Sequence, residues 1–236
     1  MSKNPAKKIT ISAIISKAIR QMKSVLTFAP EFEGKLDKQV RQLGIGGNFL
    51  RSAIMGFSSP MIFIAVYSQL TPLMRSTESA LMVIFGVIVS ALCSDDDIIA
   101  WIHDHYGTIL TIDCLLMAIA NYFVLYNPNI RVIIVASVDT VIMTLWMTGY
   151  NSTFNNTLSN DDLTKWDLVL HNANQLGYLL GTILFFITEF IGLSLALYMV
   201  CITQVIAIIL DACCDNIVHR KLYKLINSRK EEANEM

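Results

Sequence analysis

The chain has 236 residues, of which 54% are apolar and only 16% charged, against about 25% charged in soluble domains. This composition argues against an ordinary cytosolic enzyme and fits a polytopic membrane protein, and a net charge of −1 gives no sign of nucleic-acid binding. The five cysteines, Cys93, Cys114, Cys201, Cys213 and Cys214, form no CxxC pair, so no disulfide framework is expected.

In chain order, "KKITISAIISKAIRQMKSVLTFAP" is basic, and the first acid is Glu31. Ile11, Ile14, Ala18, Met22 and Val25 recur at helical spacing, with Lys and Arg on the other faces. The segment is expected to be an amphipathic helix lying on an anionic membrane surface. A transit-type segment and a cytoplasmic helix without a membrane role are the alternatives, whereas a secretory signal would need a less interrupted apolar core. "APEFEGKLDKQVRQLGIGGN" then turns to mixed charge, and Gly44, Gly46 and Gly47 read as a pliable joint before the first span. This GxGG is not a dinucleotide fingerprint, because no strand precedes it.

A helix needs about 20 apolar residues to cross roughly 30 Å of hydrocarbon. Windows of that kind lie at residues 52–70, 79–94, 108–126 and 130–149. A further apolar stretch, 168–210, is too long for one span and is divided at Thr188-Glu189-Phe190, its charged break. Pro60, in the first window, is expected to kink or break its helix. The fold expected is all-α: a polytopic bundle of about six transmembrane helices, residues 51–211. An N-terminal segment, 1–50, precedes it, and a basic-then-acidic tail, 212–236, follows. Cys213 and Cys214 fall where the last span ends, a place open to acylation or to plain small-residue use.

Charge placement gives an independent check. Ten of the 18 Lys and Arg precede Ser52, and Arg220, Lys221, Lys224, Arg229 and Lys230 follow the last apolar run. Both termini are therefore expected on the cytoplasmic or equivalent side of a bacterial inner membrane or an organelle membrane such as the mitochondrial inner membrane. That requires an even number of spans, with four as the fallback to six. The same topology puts the polar loop 150–167, with sequons at Asn151 and Asn155, on the side of the termini, where glycans are not added.

Between the second and third windows stands "SALCSDDDIIAWIHDHYG", with four aspartates, two histidines and no Lys or Arg. On a helix His103 and His105 would diverge by about 200° and could not share one ion. The stretch reads as a solvated turn, and no metal, cofactor or catalytic step is expected of it. Because it faces the side of the basic termini, Asp95–Asp97 and Asp104 are expected to meet the N-terminal segment or the C-terminal tail.

Ionisable groups inside spans cost at least about 2.5–3.5 kcal/mol each at the bilayer centre. Asp139 lies mid-window and Asp113 about two turns into its own window, and the windows hold no Lys or Arg to pair with them except Arg131, at the very edge of its own. Two readings remain: a proton or cation relay through Asp139 and Asp113, or a neutral acid bonded to Thr140, Thr144 or another helix. Glu189 and Asp211 fall at span ends, where water can reach them, and need no function. Asn172, Asn174 and Gln175 make a polar start to the fifth span and are candidates to join the pathway. Gly177 and Gly181, four apart, form a small-residue face for close helix packing.

Several of these features together resemble one family. The loop ending "HDHYG", the start at Arg131 and the run "NANQLGYLLGTIL" are similar to the N-terminal six-helix half of a major facilitator superfamily transporter, over residues 52–210 or so. Asp104 and Gly107 match the Asp and first Gly of that family's loop between its second and third spans. His105 stands where the loop has an arginine. The family's transport route lies between two halves. The resemblance therefore implies a half-size transporter working as a homodimer, or a reduced relative that no longer transports. The competing expectation is an accessory subunit of a larger membrane complex, or an immunity or exclusion factor. Membrane lipids are the expected partners in either case.

Overall fold

A computed structural model describes residues 11–62, 70–126, 130–190 and 192–234. The described residues are helical throughout their ordered elements and contain no strand. In order these are α1 (Ile11–Leu26), a 3₁₀ turn (Pro30–Phe32), α2 (Lys38–Ile62), α3 (Pro72–Leu92), α4 (Asp96–Asp104) and α5 (Tyr106–Tyr126). Then follow α6 (Ile130–Asn155), α7 (Asn160–Phe185), a second 3₁₀ turn (Phe186–Phe190) and α8 (Leu193–Asn234).

Local chemistry accounts for the boundaries. Thr71 caps α3 by accepting from the Met74 amide, with Pro72 at the first helical position. Asp95 accepts from the Asp97 amide, and Asp96 and Asp97 put negative charge in the first turn of α4, where the helix dipole favours it. Ser159 accepts from the Asp162 amide at the start of α7. The stretch 168–210 is two helices, as its length demands. The chain tightens to 3₁₀ at Phe186–Phe190 and turns at Gly192, whose φ of +83° is open to glycine at no steric cost.

Each expected span lies on a long helix, although residues 63–69 of the first window are outside the described residues. Among the described residues, three helices are long and apolar enough to cross a membrane: Pro72–Leu92, Tyr106–Tyr126 and Ser194–Ala233. The bundle's outside is apolar. Val83, Ile84, Val87 and Ile88 of α3, Leu115 and Ile119 of α5, Leu179 and Ile183 of α7, and Ile202, Ile206 and Ile209 of α8 are all exposed. So continuous an apolar surface marks association with a membrane.

The main core lies at one end, the base. There Phe32, Val40, Ile45, Ile102, Tyr106, Tyr150, Phe154, Trp166, Val218 and Leu222 pack together. Phe154 stacks on Trp166 at 5.4 Å and Phe32 meets its edge at 5.3 Å. Lys35 pairs with Asp162 at 2.7 Å and Lys221 with Asp37 at 3.2 Å, so the N-terminal segment, the start of α7 and the end of α8 share this base. At the opposite end Leu70, Val124 and Cys201 form one small cluster, and Ala196 and Val200 pack with Phe57 and Phe185 in another. The long helices therefore run alternately up and down between two ends.

Three expectations need correction. First, Gly44, Gly46 and Gly47 are not a joint, because α2 runs unbroken through them and through Pro60. They sit where neighbours come close: a Cβ at Gly44 would lie 3.2 Å from Tyr150 Oη, and one at Gly47 would lie 3.0 Å from Asp211 Oδ1. Second, the boundaries drawn at 50/51 and 211/212 fall inside α2 and α8. With 42 residues α8 is about 63 Å long, far beyond the roughly 30 Å of hydrocarbon, and its last turns build the base. Third, 90–107 and 150–167 are not loops. The first contains α4, and in the second Asn151 and Asn155 occupy the last turns of α6.

The glycine face on α7 packs as its spacing suggests. Cβ atoms at Gly177 and Gly181 would collide with the Phe49 and Ala53 carbonyls of α2, and one at Gly56 would collide with the Tyr178 carbonyl. Backbone meets backbone along this contact, the closest kind of helix approach.

Candidate functional site

The site starts from a pair of residues on α8. Asp211 and Asp215 are one turn apart and share a face. That face lies against α2 at Gly47, whose missing side chain gives the carboxylates room. Arg51, one turn further along α2, answers both. Its Nε donates to Asp211 Oδ2 at 2.5 Å and its Nη2 to Asp215 Oδ2 at 2.8 Å. The guanidinium also lies 4.6 Å from the centre of the Trp146 ring of α6, a cation–π contact. The Asp215 side chain is 1% exposed and that of Asp211 10%. Charges so far from water persist only when paired and hydrogen-bonded. The fork of an arginine suits that task better than a lysine.

Asp113 of α5 and Asp139 of α6 face the same space. Together with Arg51, Asp211 and Asp215 they line a cavity of about 430 Å³. Asp113 and Asp139 interact with each other there. The remaining wall is largely apolar, with Ile54, Met55, Leu110, Met117, Met143 and Trp146, and Gln204 adds one amide. Among the described residues, four carboxylates thus face one guanidinium. One oxygen of each of Asp139, Asp211 and Asp215 is buried without a hydrogen-bond partner. Thr144 does not supply one, since its hydroxyl donates to the Thr140 carbonyl at 2.7 Å.

Asp113 and Asp139, picked out from sequence, are thus brought together, and Asp139 has a base in its cavity. Arg51 sits one residue outside the first window, and Asp211 one residue beyond the last. Asp211, expected to be solvated and idle, is instead buried in an ion pair. Glu189's side chain lies outside the described residues. The amides of the fifth span do not line the cavity. Asn174 Oδ1 accepts from Ser52 Oγ at 3.0 Å in the α2–α7 contact, and Gln175 is exposed. Asn172 is likewise no part of the lining.

At the base, the acidic stretch forms a second cluster. His103 Nδ1 and His219 Nε2 share a hydrogen bond at 2.8 Å, and His103 Nε2 meets Ser152 Oγ at 3.2 Å. Tyr106 stacks on His219 at 3.7 Å, and Tyr223 stacks against both imidazoles. His105 turns away to Trp101. Burial holds His103 below the ordinary imidazole pKa, with Lys230 adding to that and Asp104 opposing it. Asp95–Asp97 stay exposed at the start of their own helix, and among the described residues the acid that pairs with the basic tail is Asp37 instead. Hydrogen bonding to Lys221 holds the Asp37 carboxyl below its ordinary value.

Asp104 is exposed at the end of α4, while Gly107 lies in the first turn of α5 beside Asn216 and Arg220. The side chain of Arg131 lies outside the described residues. Among the described residues no three His, Cys, Asp or Glu side chains are grouped so as to hold a metal ion. No family model matches the chain, and no match was found among curated proteins or solved structures.

Proposed function

We propose that the chain is an integral membrane protein of six spans, with both termini on the cytoplasmic or equivalent side, that binds and passes protons through an acidic cavity in its bundle. It works in a transporter-like way as a homodimer, and no catalytic step is assigned to it. The observation that carries this reading is the cavity, where Asp113, Asp139, Asp211 and Asp215 face a single Arg51. In a low-dielectric interior, that many carboxylates are kept only with compensating protons or cations.

The chemistry follows from the pairing. Arg51 already neutralises much of the charge on Asp211 and Asp215. A proton arriving at Asp113 or Asp139 finds a carboxyl pair able to share it. A proton passed on to Asp215 would weaken its bond to the guanidinium and free Arg51 to turn toward Asp113 and Asp139. Such an exchange of partners is a two-state device of the kind that coupled transport needs.

The resemblance to half of a major facilitator transporter accords with a partner copy completing the route. The exposed apolar face of α3 is the surface proposed for that copy, or for another subunit. That face also favours a second reading, a non-transporting subunit of a larger complex, which predicts stable co-purification of other subunits without flux. The purified chain in proteoliposomes with a pH-sensitive dye decides between them. Proton flux that Asp139→Asn removes supports the first reading. Absence of flux from well-folded protein overturns it.

A further inference from the structure

The cavity does more than gather carboxylates, and its walls narrow what it can hold. Its volume of about 430 Å³ falls in the range of about 300–1,000 Å³ typical of small-molecule pockets. A relay of protons needs no such room. Arg51 engages the Oδ2 atoms of Asp211 and Asp215, while the Oδ1 atoms of both, and of Asp139, are buried without partners. Arg51 compensates only part of the charge of Asp113, Asp139, Asp211 and Asp215, and an uncompensated buried charge is expensive, so the lining favours a further cation.

We propose that the cavity binds a monovalent organic cation with an apolar body, its charged centre beside Asp139, Asp211 and Asp215 and its body against Met117, Met143 and Trp146. This rests on the reading of the cavity as the functional site and names its ligand class. Four carboxylates exclude an anion. A bare divalent ion needs several oxygens converging at about 2.0–2.6 Å, and the described acidic residues are not grouped in that way. A small hydrated ion would leave the apolar wall unused. Methionines, unbranched and polarizable, fit irregular apolar bodies, and the Trp146 ring that already receives Arg51 belongs to the residue type that best holds a cation over its face.

The test uses the full chain, purified in detergent, with tetraphenylphosphonium as the probe in equilibrium dialysis. Saturable binding is expected, weaker by at least about tenfold in Asp139→Asn and Asp215→Asn. Because Asp215 is tied to Arg51, Asp139→Asn is the variant that guards against misfolding, and Gln175→Ala on the outer surface should bind like the unaltered chain. Tetraphenylborate, of the same shape and opposite charge, should neither bind saturably nor compete, and excess potassium should not compete. Binding should weaken as the pH is lowered, because protons compete for the same oxygens.

Absence of saturable phosphonium binding overturns the proposal. So does equal affinity in Asp139→Asn, equal binding of the borate, or displacement by potassium. Proton flux without phosphonium binding would remove this ligand class and leave the proton reading standing. Specific binding without flux would do the reverse.

Discussion

Arg51 carries more of the structure than any other single residue of the site. It bonds two buried carboxylates and rests on an indole ring. Removing it leaves Asp211 and Asp215 buried without a counter-charge, so Arg51→Ala should destabilise the bundle by about 3–5 kcal/mol, measured by thermal unfolding in detergent. Asp211→Asn and Asp215→Asn, each leaving one carboxylate on the guanidinium, should cost less. A second residue-scale prediction concerns the base. His103 is held below its ordinary pKa by burial, in surroundings that include His219, Tyr223, Ser152, Asp104 and Lys230, with Arg220 beside His219. A histidine kept neutral in the fold contributes stability that is present above its unfolded value of about 6.5 and is lost as pH falls below it. Two protonated rings also cannot share the 2.8 Å bond. The melting temperature should therefore fall between pH 7 and pH 5, and His103→Gln should flatten that slope. An equally steep slope in the variant would contradict the assignment. Asp139 and Asp113 were legible in the sequence because acids are rare in apolar windows. Arg51 and Asp211 were not, because a window ends at a charge whether that charge reaches water or is buried by a neighbouring helix. The i, i+4 spacing of Asp211 and Asp215 was the signal that could have found them.

At the scale of elements, the glycines of α2 and α7 serve different ends. Gly177, Gly181 and Gly56 let two backbones touch. Gly181→Ala should force α2 and α7 apart, at a cost of about 1–3 kcal/mol in thermal unfolding. Gly46 has nothing within 4 Å of an added Cβ and lies inside α2. Gly46→Ala should therefore stabilise the chain by about 1 kcal/mol through helix propensity alone. A loss of stability or of activity would restore the hinge that the sequence suggested. The small-residue face was readable because its spacing matches a helix turn. The joint was misread because GxGG looks the same whether it bends a chain or admits a neighbour. Only Tyr150, Trp166 and Asp211, distant in sequence, decide the matter. The helix α4 was missed because its nine residues are too few and too acidic for a hydropathy window. Its Asp95 cap, followed by Ile98, Ile99 and Ile102, was the available sign.

For the molecule as a whole, the basic ends were the most informative feature. They led to the expectation that both termini lie on one side of the membrane; in the structure Lys221 pairs with Asp37, and Lys35 with Asp162 at the start of α7. With the native cysteines replaced, Lys35→Cys and Lys224→Cys should both react with an impermeant maleimide from the same side of a sealed membrane. Labelling from opposite sides would overturn the even-span topology. The extent of α8 beyond the bilayer was not legible, because composition turns polar near 211 while the helix does not stop.

The acidic cavity is the centre of the account, and proton flux into proteoliposomes of the purified chain tests it most directly. The unaltered chain should acidify the lumen under an imposed gradient. Asp139→Asn, folded and inserted to the same extent, should lose at least about nine-tenths of the rate, a change of roughly 1.4 kcal/mol or more in the barrier. An unchanged rate with unchanged pH dependence would contradict the account.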